Sequence, residues 1–127
     1  MSKKKTILVV DDEELIRSLF EDLLEEYFHV ITAKDGLDAV RAYEENVSRI
    51  ELAILDIIMP GMRGDKVFAF IRERNPALPV LFVTGNAMDV DMIELGKHEY
   101  VEILPKPFSQ SQIETCIARL LGTPIAA

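Results

Sequence analysis

Two observations predict an α/β fold of five βα units, doubly wound around a parallel five-stranded sheet. Short apolar runs alternate along the chain with longer segments of helical periodicity. The clearest runs are continuous rather than alternating with polar residues, as expected of strands covered by helices on both faces.

The elements follow in order. Thr6-Ile7-Leu8-Val9-Val10 is a β-branched run of the central-strand type. Leu15, Leu19 and Leu23, with Ile16, Phe20 and Leu24, then recur at helical spacing and predict a helix reaching about Tyr27. Phe28 to Ala33 reads as a shorter second strand. Gly36 opens a helix with Leu37, Val40 and Tyr43 on its inward face, ending near Asn46. Leu52 to Asp56 is the third strand. The irregular stretch Met59-Pro60-Gly61-Met62-Arg63-Gly64 leads into a helix with Val67, Phe68 and Ile71 inward, which Asn75-Pro76 stops. Pro79 to Thr84 is the fourth strand, closed by Gly85-Asn86. Met88 to Gly96 gives the weakest helical signal, because Asp89 and Asp91 interrupt its apolar pattern. Val101 to Leu104 is the fifth strand, and Ser109 is placed to cap a last helix with Ile113, Ile117 and Leu120 inward. Met1 to Lys5 is expected to be a solvated end, residues 6–121 the domain, and residues 122–127 a tail.

Composition narrows the function. A chain of 127 residues is expected to form one core, and a net charge of -8 repels phosphate backbones and anionic lipid, which argues against direct nucleic-acid binding. No apolar stretch approaches the roughly 20 residues of a membrane span, and the run after Lys3-Lys4-Lys5 stops at Asp11-Asp12-Glu13-Glu14, too early for an export signal. The single Cys116 fits a reducing compartment, so a cytoplasmic location is expected.

In open parallel sheets ligands bind beyond the carboxyl ends of the strands. Here those ends carry Asp11-Asp12, Asp56, Thr84 and the Pro105-Lys106-Pro107 segment. Three converging carboxylates repel one another, and a hard divalent cation such as Mg²⁺ relieves that without protonation, which makes phosphoryl chemistry the natural class. A carboxylate can then serve as nucleophile, with Lys106 offsetting charge on the transferred group and Thr84 donating to it. Structural roles compete for the same residues. Asp11 with Glu14 fits a capping box, and a strand-end Asp or Thr can simply satisfy local backbone. The flanking prolines restrict Lys106 and make a cis Lys106-Pro107 bond plausible.

Four motifs now stand in order: Ile7-Leu8-Val9-Val10-Asp11-Asp12, Leu55-Asp56-Ile57-Ile58-Met59-Pro60 with Gly64, Val83-Thr84-Gly85, and Leu104-Pro105-Lys106-Pro107-Phe108. Together they resemble the receiver domain of two-component response regulators, over essentially the whole chain. The resemblance implies a flavodoxin-like strand order of 2-1-3-4-5. It implies a signalling phosphoacceptor: Asp56 takes a phosphoryl group from a phosphohistidine on a sensor histidine kinase or a histidine phosphotransfer protein, then changes contacts with a downstream protein. It also implies Mg²⁺ or Mn²⁺ on Asp12, Asp56 and the Ile58 carbonyl, with Asp11 acting through a coordinated water. Thr84 and Lys106 would contact the phosphoryl oxygens, and Gly85 would leave room beside them.

The sequence departs from the family pattern where many members carry a switching aromatic residue three positions before the lysine: here that residue is Ile103. Arg63 replaces a common acid, and Ile58 and Asn86 offer no charged group to orient water, which implies slow self-dephosphorylation. The Leu104 to Phe108 wording is similar to receivers of hybrid histidine kinases and also to stand-alone ones. Two other readings of the same topology fit less well: a flavodoxin-like electron carrier would not place Asp11-Asp12-Glu13 at its phosphate loop, and a haloacid-dehalogenase-like phosphatase would carry an Asp at Ile58. A phosphorylation-independent interaction module is the remaining alternative.

Overall fold

A computed structural model describes residues 4–85 and 94–125. Five parallel strands, β1 (Lys5–Val10), β2 (Phe28–Ala33), β3 (Ile50–Asp56), β4 (Val80–Thr84) and β5 (Val101–Pro105), form one sheet in the order β2-β1-β3-β4-β5. The helices among the described residues are α1 (Glu14–Leu24), α2 (Gly36–Glu45), α3 (Gly64–Arg74) and α4 (Gln110–Leu121).

Because side chains alternate along a strand, the continuous apolar runs feed two cores at once. Leu8, Val10, Ala53, Leu55, Val80 and Phe82 face the layer of α2 and α3. Ile7, Val9, Leu52, Ile54, Leu81 and Val83 face α1 and α4. Each fully buried aliphatic is worth about 1.5–3 kcal/mol, so the four of β1 alone supply on the order of 10 kcal/mol. The expected inward residues of α3, Val67, Phe68 and Ile71, are buried, and its C-cap is Asn75. Ser109 caps α4 as expected: its hydroxyl accepts from the Gln112 N–H at 3.1 Å and the Gln112 side chain accepts from the Ser109 N–H at 2.8 Å. Ile113 and Ile117 are fully buried, while Leu120 packs at the core margin.

Several expectations are corrected. Leu37 points to solvent and Gly36, Ala39 and Tyr43 form the buried stripe of α2. Gly36 sets this rotation, since a Cβ there would lie 2.4 Å from Cβ of Met62. Helix α1 stops at Leu24 rather than Tyr27, where the chain turns back through a Tyr27 N–H to Leu24 carbonyl bond. Strand β3 starts at Ile50, because the β1–β3 register skips Glu51 between the Thr6 and Ile7 pairings. Asp11 and Glu14 form no capping box: Glu13 occupies the N-cap position without a side-chain bond, and the Asp11 carboxylate instead accepts from the Glu13 N–H at 2.9 Å. Asn86 and most of Met88 to Gly96 lie outside the described residues; Glu94 and Leu95 are helical.

Candidate functional site

All the predicted strand-end groups meet at one edge of the sheet. Strands β1 and β3 are neighbours in parallel register, Val10 opposite Leu55, so the residues that follow, Asp11 and Asp56, emerge side by side. Both are buried, whereas Asp12 is exposed at the rim. One carboxylate oxygen from each of Asp11, Asp12 and Asp56 lies within 4.8 Å of the other two.

Lys106 enters from β5. Its backbone N–H donates to the Thr84 carbonyl at 2.8 Å, tying the ends of β4 and β5 together, and the Lys106-Pro107 peptide is cis. Its Nζ stands 3.3 Å from Asp11 Oδ2, 3.6 Å from Asp56 Oδ2 and 3.8 Å from Glu13 Oε1. Thr84 is buried at the end of β4. Asp12, Glu13, Asp56, Ile58, Thr84, Gly85 and Lys106 together line a shallow depression. A Cβ built on Gly85 meets nothing within 4 Å, so the depression has room on that side. The Ile58 side chain is 63% exposed on the rim. Neither Ile103 nor Pro107 lines the depression: Ile103 is half-buried against the α2–α3 core and Pro107 is exposed.

Burial and like charge set the electrostatics. Asp56 is pushed up from 3.8 to about 6, first by burial, then by the Asp11 charge, with Lys106 pulling the other way. Burial also raises Asp11, against the Glu13 N–H and Lys106. For Lys106 burial alone would lower the pKa, but Asp11 and Asp56 outweigh it and hold the amine protonated. Ionising Asp56 in the folded chain therefore costs about 3 kcal/mol, well below the hydrophobic contribution of a single central strand.

One support was not foreseen, and a second lies at Gly64 of the second motif. Arg17 donates to the Asp11 carbonyl at 2.7 Å, fastening the acidic loop to α1; nothing in the spacing marks it. Gly64 sits against the backbone of Asp56, with its N–H donating to the Ile57 carbonyl at 2.8 Å. Arg63 pairs with Asp65 at 3.1 Å on the surface, so its charge is partly neutralised locally.

The model of the response regulator receiver domain matches residues 7–118. The chain belongs to that family. This receiver is 34% identical over 119 residues to the transcriptional regulatory protein CpxR of Escherichia coli, covering 91% of this chain and 48% of that protein. It superposes on the receiver domain of the hybrid histidine kinase CckA with a TM-score of 0.76 at 32% identity, over 91% of this chain and 98% of that one. Against the chemotaxis protein CheY4 of Vibrio cholerae the TM-score is 0.83 at 25% identity, over 93% and 99% of the two chains. The receiver spans less than half the length of the curated relatives it matches, 13% in the case of the sensor kinase CckA of Brucella abortus. As a response regulator receiver, it is a phosphoacceptor domain of two-component signalling. Among the described residues no helix is long and apolar enough to cross a membrane.

Proposed function

We propose that Asp56 is the residue that accepts the phosphoryl group and that Lys106 and Thr84 are its working partners. The observation that carries this is the Lys106 amine held within 3.6 Å of both Asp11 and Asp56 at the mouth of a three-acid cluster. A carboxylate oxygen of Asp56 attacks the phosphorus of a phosphohistidine. The new O–P bond forms as the P–N bond breaks, and the imidazole leaves with its electron pair and takes up a proton. Lys106 neutralises charge on the transferred oxygens, the Thr84 hydroxyl donates to one of them, and the open side at Gly85 accommodates the group.

The donor set fits a hard divalent cation: oxygens only, and clustered anionic charge that exceeds the charge of Lys106 among the described residues. Asp12, Asp56 and the Ile58 carbonyl would hold Mg²⁺ or Mn²⁺, with Asp11 behind a water, and the ion would supply positive charge at the transferred oxygens. Folded Asp56 binds its proton more tightly than the unfolded chain does. Its contribution to metal-free stability is therefore greatest below pH 3.8 and is lost as pH rises toward about 6. Mg²⁺ should raise the melting temperature little at pH 5 and clearly more at pH 7.5; equal shifts at both would contradict the assignment of Asp56 to the ion.

Residues 6–121 are read as the receiver unit, with Ile125 of the following tail folded back on the α1–α4 core. On α1, Leu15 is 84% exposed and Leu19 40%, an apolar strip beside the acceptor edge on which a helical sensor kinase or histidine phosphotransfer protein would dock, in the cytoplasm. With Ile103 where a rotating ring is common, the switch toward the downstream protein would use Ile103 packing, the weakly helical segment Met88 to Gly96 or a shifted interface. With Ile58 presenting no charged group, the aspartyl phosphate should decay slowly without a separate phosphatase. The test is intact mass after incubation with a small acyl phosphate. One phosphoryl should appear with Mg²⁺ and vanish with chelator or in Asp56→Asn; if small donors fail, a phosphorylated histidine phosphotransfer protein is the donor to use. Labelling of Asp56→Asn to the same extent would overturn the reading.

A further inference from the structure

We propose that the free edge of β2 and the basic groove at its base form a docking site for an extended acidic segment of a partner protein. Strand β2 pairs with β1 alone among the described strands, so its outer N–H and C=O groups have no strand partner. Proteins usually guard such an edge with a charged residue, a proline or a bulge. Here the sequence Phe28-His29-Val30-Ile31-Thr32-Ala33 contains no Lys, Asp, Glu or Pro, and its register against β1 runs unbroken from Lys5–Phe28 to Val10–Ala33. The opposite edge is guarded: β5 carries Glu102, held by Arg119 at 2.5 Å, and ends in Pro105. Solvent reaches β2 accordingly, with His29 exposed and Val30, Ile31 and Thr32 half-buried, whereas Leu52 to Asp56 of β3 and all of β4 are buried.

The partner's chemistry follows from the groove that shares these residues. His29, Val30 and Ile31 line it together with Lys4, Lys5, Thr6, Ser48, Arg49 and Glu51. Lys5 and Arg49 make no ion pair among the described residues; the Arg49 guanidinium reaches only the Asn46 side-chain oxygen. On a chain of net charge -8 this is a local excess of positive charge over the single acid Glu51 in the groove, with Ile31 as an apolar contact on the sheet face that meets α2 and α3. Strand addition supplies main-chain hydrogen bonds and reads alternate side chains, which suits a segment with apolar residues on one side and acids on the other. The surrounding negative field disfavours a long polyanion and is tolerated by a short acidic peptide. The site lies at the amino ends of the strands, at the other end of the sheet from Asp56.

The probe is a short synthetic peptide of alternating Glu and Val, titrated into the whole chain while backbone amide signals are followed by NMR. Shifts and slowed amide exchange should be confined to β2 and the groove, and the corresponding Lys–Val peptide should leave the spectrum unchanged. The double variant Lys5→Gln/Arg49→Gln changes one half-buried and one exposed position, and should keep the fold, with amide shifts altered only beside the two substitutions, while binding about tenfold more weakly. Unchanged affinity in that variant, shifts centred on α1, or no response at about millimolar peptide would overturn the proposal. So would displacement of the peptide by inorganic phosphate, which marks a small-anion site. Binding of poly-uridine RNA at the same residues, or a doubling of mass without peptide, would equally reassign the surface, to a polyanion or to a second copy.

Discussion

Gly64→Ala should unfold the chain or leave it several kcal/mol less stable, and should abolish phosphoryl acceptance even where some folded protein remains. A Cβ on Gly64 would lie 1.9 Å from the Asp56 carbonyl oxygen and 2.8 Å from the Asp56 carbonyl carbon. Both are backbone atoms at the end of a buried central strand, so no side chain can swing aside. Overpacking of this kind costs about 1–3 kcal/mol where neighbours relax and more where they cannot, against roughly 1 kcal/mol gained from alanine's helix propensity at the start of α3. Relief by shifting Asp56 moves the acceptor away from Lys106. Urea denaturation and phosphoryl incorporation measured on the same preparation check both halves. Near-native stability with normal labelling would show that the approach of α3 to β3 is looser than described.

Lys106→Met should slow phosphoryl transfer by about a hundredfold or more while leaving the fold intact, since methionine keeps much of the apolar stem and removes the amine. Two buried carboxylates then lose the one cation close to them among the described residues, and the Asp56 carboxyl moves above about 6. The variant should be destabilised more at pH 7.5 than at pH 5, because Asp56 is protonated at the lower value. Transfer rates from a small acyl phosphate, with melting curves at the two pH values, test this. A rate within a few-fold of the parent would remove Lys106 from the mechanism.

Much of this site was legible because the chemistry sits at strand ends, where a buried apolar run stops abruptly at Asp, Asp or Thr. Strand order then decides which ends are neighbours, and the structure brings Asp11, Asp12, Asp56, Thr84 and Lys106 together as the pattern implied. What escaped the sequence depends on rotation and on contacts distant along the chain. Leu37 fits a helical stripe as well as Ala39 does, and only the close approach of Gly36 to Met62 turns it outward. Leucines at Leu15 and Leu19 are as periodic as Phe20 and Leu24, yet the first pair faces solvent, because one side of α1 suffices to cover the sheet. The end of α1 lacks a Gly or Pro, so periodicity ran past the turn that β2 imposes. Arg17 reaches back six residues to a carbonyl, a contact without a spacing rule.

The central claim is that Asp56, and neither of the acids beside it, carries the phosphoryl group. Borohydride reduction of the phosphorylated protein converts an aspartyl phosphate to homoserine, and peptide mass mapping then locates it. The account predicts homoserine at position 56 alone, with Asp11 and Asp12 intact. Conversion at Asp11 or Asp12, or retention of the phosphoryl group with Asp56 unmodified, would contradict it.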